Sequence, residues 1–191
     1  MQICLYGASS TTLAQSYLDA VYALGAEMAA RGHSLVYGGG AQGVMGAAAR
    51  GVRENGGEVL GVAPDFFNVD GILYDGCTQF IYTKTMRQRK QIMEERAEAF
   101  VLAPGGIGSF EEFFEILTLK QLGRHNKPVA VLNTNGYYEP MQEMMKHMVR
   151  QNFAKPACLE IYRLFDCGGA LLDYLEGYDH EAVDVRHLKN L

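Results

Sequence analysis

The sequence predicts a doubly wound α/β domain, and three observations carry that prediction. Short apolar runs alternate with helical patterns of ten or more residues along most of the chain. Parallel strands need crossovers and lose both faces to burial, so this alternation fits a parallel sheet with helices on both sides. The chain has 191 residues and is 48% hydrophobic, enough to bury a sizeable core and better suited to one domain than to two. Three of the apolar runs end in Gly- or Ser-rich loops that lead toward helices, the pattern of the ligand-binding end of such a sheet.

The strand-like runs, in order, are QICLYG (2–7), SLVYGG (34–39), EVLGVAP (58–64), FIYT (80–83), AFVLAPGG (99–106) and PVAVLN (128–133). Between them the spacing predicts helices over roughly 13–31, 43–55, 86–98, 109–123 and 137–151. No internal repeat or linker interrupts the series. The expected division is a domain over 1–178 and a loosely attached tail over 179–191.

Composition narrows the partners. A net charge of −5 without any Lys/Arg-rich run offers no field for a phosphate backbone, which argues against nucleic acid. Cys4, Cys77, Cys158 and Cys167 are scattered without a Cys-x-x-Cys pair, so reduced thiols and no metal site are expected. The opening MQICLYGASS lacks a basic segment, and no stretch approaches the ~18 apolar residues of a membrane span. A cytoplasmic protein with no membrane partner is the expectation.

The loops YGASS (6–10), YGGGAQGVMG (37–46) and PGGIGS (104–109) should converge on one crevice. Their backbone N–H groups suit a phosphate-bearing ligand. The second loop satisfies G-x-G-x-x-G as Gly38, Gly40 and Gly43, with Asp65 about twenty residues on as a candidate ribose-binding acid. It follows the second strand rather than the first, so a dinucleotide site and a plain tight turn both account for it.

In MRQRKQIMEERAEAF (86–100), Met86, Arg89, Lys90, Met93 and Ala97 share one helix face. Lys90 reads either as a pocket cation or as a stem lying on apolar surface and paired with Glu94. Arg89 reads as a pocket residue, because its permanent planar charge suits a cluster of anionic oxygens at the edge of a core. After the strand run, Gly105, Gly106 and Gly108 permit positive φ and close backbone approach. Ser109 is then expected to open a helix whose free N–H groups and dipole favour an anion.

Ser109-x-x-Glu112 is also a capping box, a structural account of Glu112 that competes with a catalytic one. Glu111 and Glu115 read as a partly solvated face, with Phe110, Phe113, Phe114 and Leu117 on the buried side. A carboxylate near an anion site with an Arg on the preceding helix suits chemistry on a phosphorylated sugar. There an oxocarbenium-like transition state needs negative charge and an activated water.

The segments YGGGAQGVMG, MRQRK and PGGIGSFEE resemble, in order and spacing, the signature elements of the Lonely Guy family. Its members are phosphoribohydrolases acting on cytokinin riboside 5′-monophosphates, many of them labelled lysine decarboxylase. Its Pro-Gly-Gly-x-Gly-Thr-x-x-Glu pattern matches Pro104, Gly105, Gly106, Gly108, Ser109 and Glu112, with Ser in place of Thr. Its Met-His-x-Arg-Lys pattern matches Met86, Arg89 and Lys90, with Arg87 where His is usual.

The resemblance implies a Rossmann-like fold, a homodimer, and Arg89 and Glu112 as the catalytic pair. It further implies that Ser9, Gly39, Gly40, Gly43, Met86, Lys90, Gly105, Gly106, Gly108 and Ser109 bind substrate or its phosphate. The implied reaction frees a base and ribose 5-phosphate from a nucleoside 5′-monophosphate. No cofactor is expected, because nothing around Lys84, Lys90, Lys120 or Lys127 builds the Schiff-base and pyridine-nitrogen partners of pyridoxal chemistry. The alternative is a nucleotide or cofactor carrier of the same fold that binds without cleaving.

Overall fold

In the computed structural model, residues 1–68 and 71–179 are described; most of the expected tail, 180–191, lies outside them. The strands are β1 (Gln2–Tyr6), β2 (Ser34–Tyr37), β3 (Val59–Pro64), β4 (Gln79–Thr83), β5 (Ala99–Leu102), β6 (Val129–Leu132) and β7 (Arg163–Phe165). The helices are α1 (Gln15–Ala30), α2 (Gly43–Glu54), α3 (Met86–Arg96), α4 (Ile107–Gln121), α5 (Glu139–Arg150) and α6 (Gly168–Glu176). All strand pairs are parallel, in the order β4-β3-β2-β1-β5-β6-β7.

Parallel pairing explains the composition of the strands. Successive side chains point to opposite faces, so β1 sends Ile3 and Leu5 into one core and Cys4 and Tyr6 into the other. The first core is closed by α1, α2 and α6 through Leu24, Met28, Ala48, Val52 and Leu172. The second is closed by α3, α4 and α5 through Met93, Phe113, Leu117 and Met141. The predicted fold class therefore holds.

Two elements go beyond the sequence reading. Strand β7 has three residues with exposed or intermediate burial at the sheet edge, too short and too wet for an apolar run. Helix α6 begins at Gly168-Gly169 without a side-chain cap, so its start carries no N-terminal signal. The expectation for α4 is corrected as well: it starts at Ile107 with Gly106 as N-cap, two residues before Ser109.

The tightest packing lies between α1 and α2. A Cβ on Gly51 would stand 2.2 Å from the Tyr22 carbonyl oxygen, and one on Gly25 would stand 2.5 Å from that of Ala48. Backbone meets backbone there, so neither neighbour yields easily. Gly51→Ala should cost about 1–3 kcal/mol of stability through overpacking, read as a lower urea midpoint with unchanged m-value.

Candidate active site

The chain winds outward from β1 through β2, β3 and β4, then returns to β5 on the other side of β1. Connections from β1 and β5 leave toward opposite faces, which opens a crevice beyond their carboxyl ends. A cavity of about 700 Å³ occupies it, lined by all three predicted loops.

Backbone hydrogen bonds fasten those loops together. Ala8 N–H donates to Pro104 O at 3.1 Å, and Met45 N–H donates to Ala8 O at 3.1 Å. Gly43 has φ +61, and a Cβ there would stand 2.6 Å from Ala8 O. A Cβ on Gly105 would stand 2.1 Å from Ser109 Oγ and 3.2 Å from Ala8 N. Tyr137 and Tyr138 donate their hydroxyls to Gly105 O and Ala103 O, each at 2.8 Å, and so hold the turn after β5 from behind.

Of the sequence-predicted residues, Ser9, Gly40, Met86, Arg89, Gly106, Gly108, Ser109 and Glu112 line the cavity. Gly39, Gly43, Lys90 and Gly105 do not. Gly43 and Gly105 serve the loop contacts above. Gly39 has φ +79, and a Cβ there would stand 2.7 Å from the Phe80 ring. Lys90 Nζ bridges α3 to α4 through Glu111 at 2.5 Å and Glu115 at 2.8 Å, rather than pairing with Glu94. Asp65 faces Lys84 at 3.4 Å on the surface and is not a cavity residue.

The earlier start of α4, at Ile107 rather than Ser109, removes the capping box. Glu112 is the sixth residue of α4, beyond reach of Gly106 N–H, and the N-cap has no side-chain hydrogen bond. The first N–H groups of α4 therefore remain free of side-chain caps beside the cavity, where the helix dipole favours an anion. The Glu112 carboxylate instead accepts from Arg89 Nη1 at 2.6 Å. The two side chains are 11% and 8% exposed.

Burial pushes the Glu112 carboxyl above the ordinary glutamate range, and the Arg89 charge opposes that shift without cancelling it. A glutamate poised this way accepts a proton more readily than a surface one. Arg89 is fixed further by Nε–H, which donates to Val62 O at 3.2 Å.

One wall escaped the sequence reading. Residues 71–73 lie against the second loop: Ala41 N–H donates to Ile72 O, and Tyr74 N–H to Gly39 O, each at 2.9 Å. Arg53 holds the end of this segment through Gly76 O at 2.8 Å. Phe67, Ile72 and Leu73 join Met45 and Met86 as the large apolar residues of the cavity lining. Irregular chain between strands carries no periodic signal; the apolar residues that follow Pro64 without helix or strand spacing are the only local hint. Phe114, expected to be buried, is 39% exposed.

No lysine lines the cavity among the described residues. Lys120 is buried against Lys127 O and the Tyr178 hydroxyl, and its burial lowers its pKa to about 8.

Fold and site together define a doubly wound α/β protein with a small-ligand crevice at the switch point of its sheet. Residues 45–175 match the family model described as "Possible lysine decarboxylase". A probable cytokinin riboside 5′-monophosphate phosphoribohydrolase of Oryza sativa subsp. japonica is 36% identical over 184 residues, 95% of this chain and 75% of the relative. A cytokinin riboside 5′-monophosphate phosphoribohydrolase of Arabidopsis thaliana is 35% identical over 187 residues, 97% and 87% of the two chains. The chain belongs to this family, the Lonely Guy family of phosphoribohydrolases.

Among solved structures, the molybdenum cofactor carrier protein of Chlamydomonas reinhardtii has a TM-score of 0.69 at 23% identity, covering 93% of this chain and 98% of its own. The molybdenum cofactor binding protein of Rippkaea orientalis has a TM-score of 0.66 at 19% identity, covering 92% and 93%. These two establish the shared fold.

Removing the Arg89 charge leaves Glu112 buried without its partner. Arg89→Met should cost about 3 kcal/mol at pH 8. The unpaired carboxyl has a still higher folded pKa, so the stability of the variant is lost as pH rises through that pKa and recovered below it. Urea unfolding at pH 8 and pH 5 checks this; an equal loss at both would remove Glu112 from the explanation.

Proposed function

We propose that this chain hydrolyses the N-glycosidic bond of a nucleoside 5′-monophosphate, giving free base and ribose 5-phosphate. The observation that carries the reading is the buried Arg89–Glu112 pair beside the uncapped N-terminus of α4. The relatives named phosphoribohydrolases support the reaction class.

In this reading the 5′-phosphate sits on the N–H groups of the 106–109 turn, with Ser109 in place of the family's Thr. Ionised Glu112 orients a water toward the anomeric carbon and stabilises the positive charge that develops there. Arg89 uses Nη2, which has no hydrogen-bond partner among the described residues, to hold ribose or phosphate oxygens. The C1′–N bond breaks, the water oxygen bonds to C1′, and the proton balance is closed on the departing base. The apolar side formed by Phe67, Ile72 and Leu73 faces the base.

Carrier proteins share the fold. A buried carboxylate beside the anion turn favours hydrolysis over carriage, since it would repel a bound phosphate without serving any step. Incubation with AMP and with isopentenyladenosine 5′-monophosphate, beside the matching nucleosides, should release base from the monophosphates alone when followed by chromatography. Glu112→Gln should lower turnover by at least about 100-fold while ribose 5-phosphate still raises the melting temperature. Unimpaired turnover of that variant would leave Glu112 a structural role only.

We further propose a homodimer in the cytoplasm. Ile107, Met144 and Phe153 are 89%, 66% and 83% exposed, apolar surface that a second copy would cover. The described residues contain no disulfide and no helix long and apolar enough to cross a membrane. Light scattering at twice the chain mass of 21.1 kDa supports the dimer, and a monomer at working concentration ends it.

A further inference from the structure

The three glycines that follow β2 are glycines for different reasons. Gly39 adopts positive φ. A Cβ on Gly40 would stand 2.7 Å from Met45 Cε, the movable end of a flexible side chain. Gly38 has neither excuse: its φ lies outside the left-handed region, and the atoms crowding it belong to Arg89.

A Cβ on Gly38 would stand 2.1 Å from Arg89 Nη2, 3.2 Å from Cζ and 3.5 Å from Nε. The guanidinium thus lies against the bare Cα of Gly38. An arginine tip normally swings aside from an added methyl. Here Nε is tied to Val62 O and Nη1 to Glu112, and the residue is 6% exposed. Moving the tip means giving up one of those bonds.

We propose that Gly38 is a positioning residue: its missing side chain seats the Arg89 guanidinium against Glu112 and leaves Nη2 for the ligand. The inference rests on the hydrolase reading for its effect on turnover, though not for its effect on Arg89 itself. Its specificity lies in the partner, because the three atoms nearest the added methyl all belong to the Arg89 guanidinium and the closest is its second nitrogen. Lysine at position 89 lacks that nitrogen.

The test is Gly38→Ala in the natural chain and in an Arg89→Lys background. In the natural chain, kcat/KM should fall about 100-fold, the scale of an ångström misplacement of a holding group, with a cooperative thermal transition retained. In the Arg89→Lys background the same methyl should cost less than about 3-fold, because coupled residues are not additive. Independently of activity, the Arg89 Nε–H resonance, assigned by its loss in Arg89→Lys, should shift and exchange faster in Gly38→Ala as the Val62 bond loosens.

An unchanged resonance, or a full loss of kcat/KM repeated in the lysine background, overturns the inference. Should the natural chain release no base from any monophosphate, the hydrolase reading falls. The resonance then still decides whether Gly38 seats Arg89.

Discussion

The reversal of winding between β1 and β5 is the constraint on which the site depends. Seven parallel strands bring all their carboxyl ends to one edge, and crossovers that leave in opposite directions keep that edge open at one place. The first and third glycine-rich loops follow the two strands flanking the opening, and the second loop follows β2 next to β1. They meet because the strand order places them side by side. Their mutual hydrogen bonds through Ala8 then fix the spacing.

Within that opening the buried ion pair sets the electrostatics. Arg89 comes from α3 and Glu112 from α4, two consecutive helices joined through β5. Burial raises the carboxyl and the guanidinium restrains it, so the site holds a negative charge close to donors that attract another. In the hydrolase reading, an anomeric carbon that becomes positive as it loses its base would lie between these two charges. On the solvent side, Lys90 tied to Glu111 and Glu115 joins the same two helices across their outer turn. Exposed pairs of this kind contribute little to stability.

Steric space does as much as charge. The glycines of the site mark places where one backbone segment touches another or where a functional side chain lies against the chain. Gly43 and Gly105 bring loop to loop, and Gly39 admits the Phe80 ring. Local sequence showed that these positions are permissive without showing what each approaches. That explains why three predicted binding glycines, Gly39, Gly43 and Gly105, proved to be supports behind the lining rather than the lining itself.

The sequence by itself determined the alternation of parallel strands and crossover helices, because periodic burial is written locally. It also determined the ligand end of the sheet and pointed to Arg89 as a pocket residue, while Glu112 entered the candidate site as a catalytic residue only through the family resemblance. It did not carry the short edge strand β7 or the glycine-started helix α6, whose signals are too brief. The absence of the expected capping box was decided only by the tertiary structure. Helix α4 begins at Ile107, and Arg89 supplies Glu112 with a partner from another helix. The apolar wall of Phe67, Ile72 and Leu73 is likewise a product of tertiary structure, with Ile72 and Leu73 held against the second loop. Such long-range contacts have no period and no motif, so folding alone decides them.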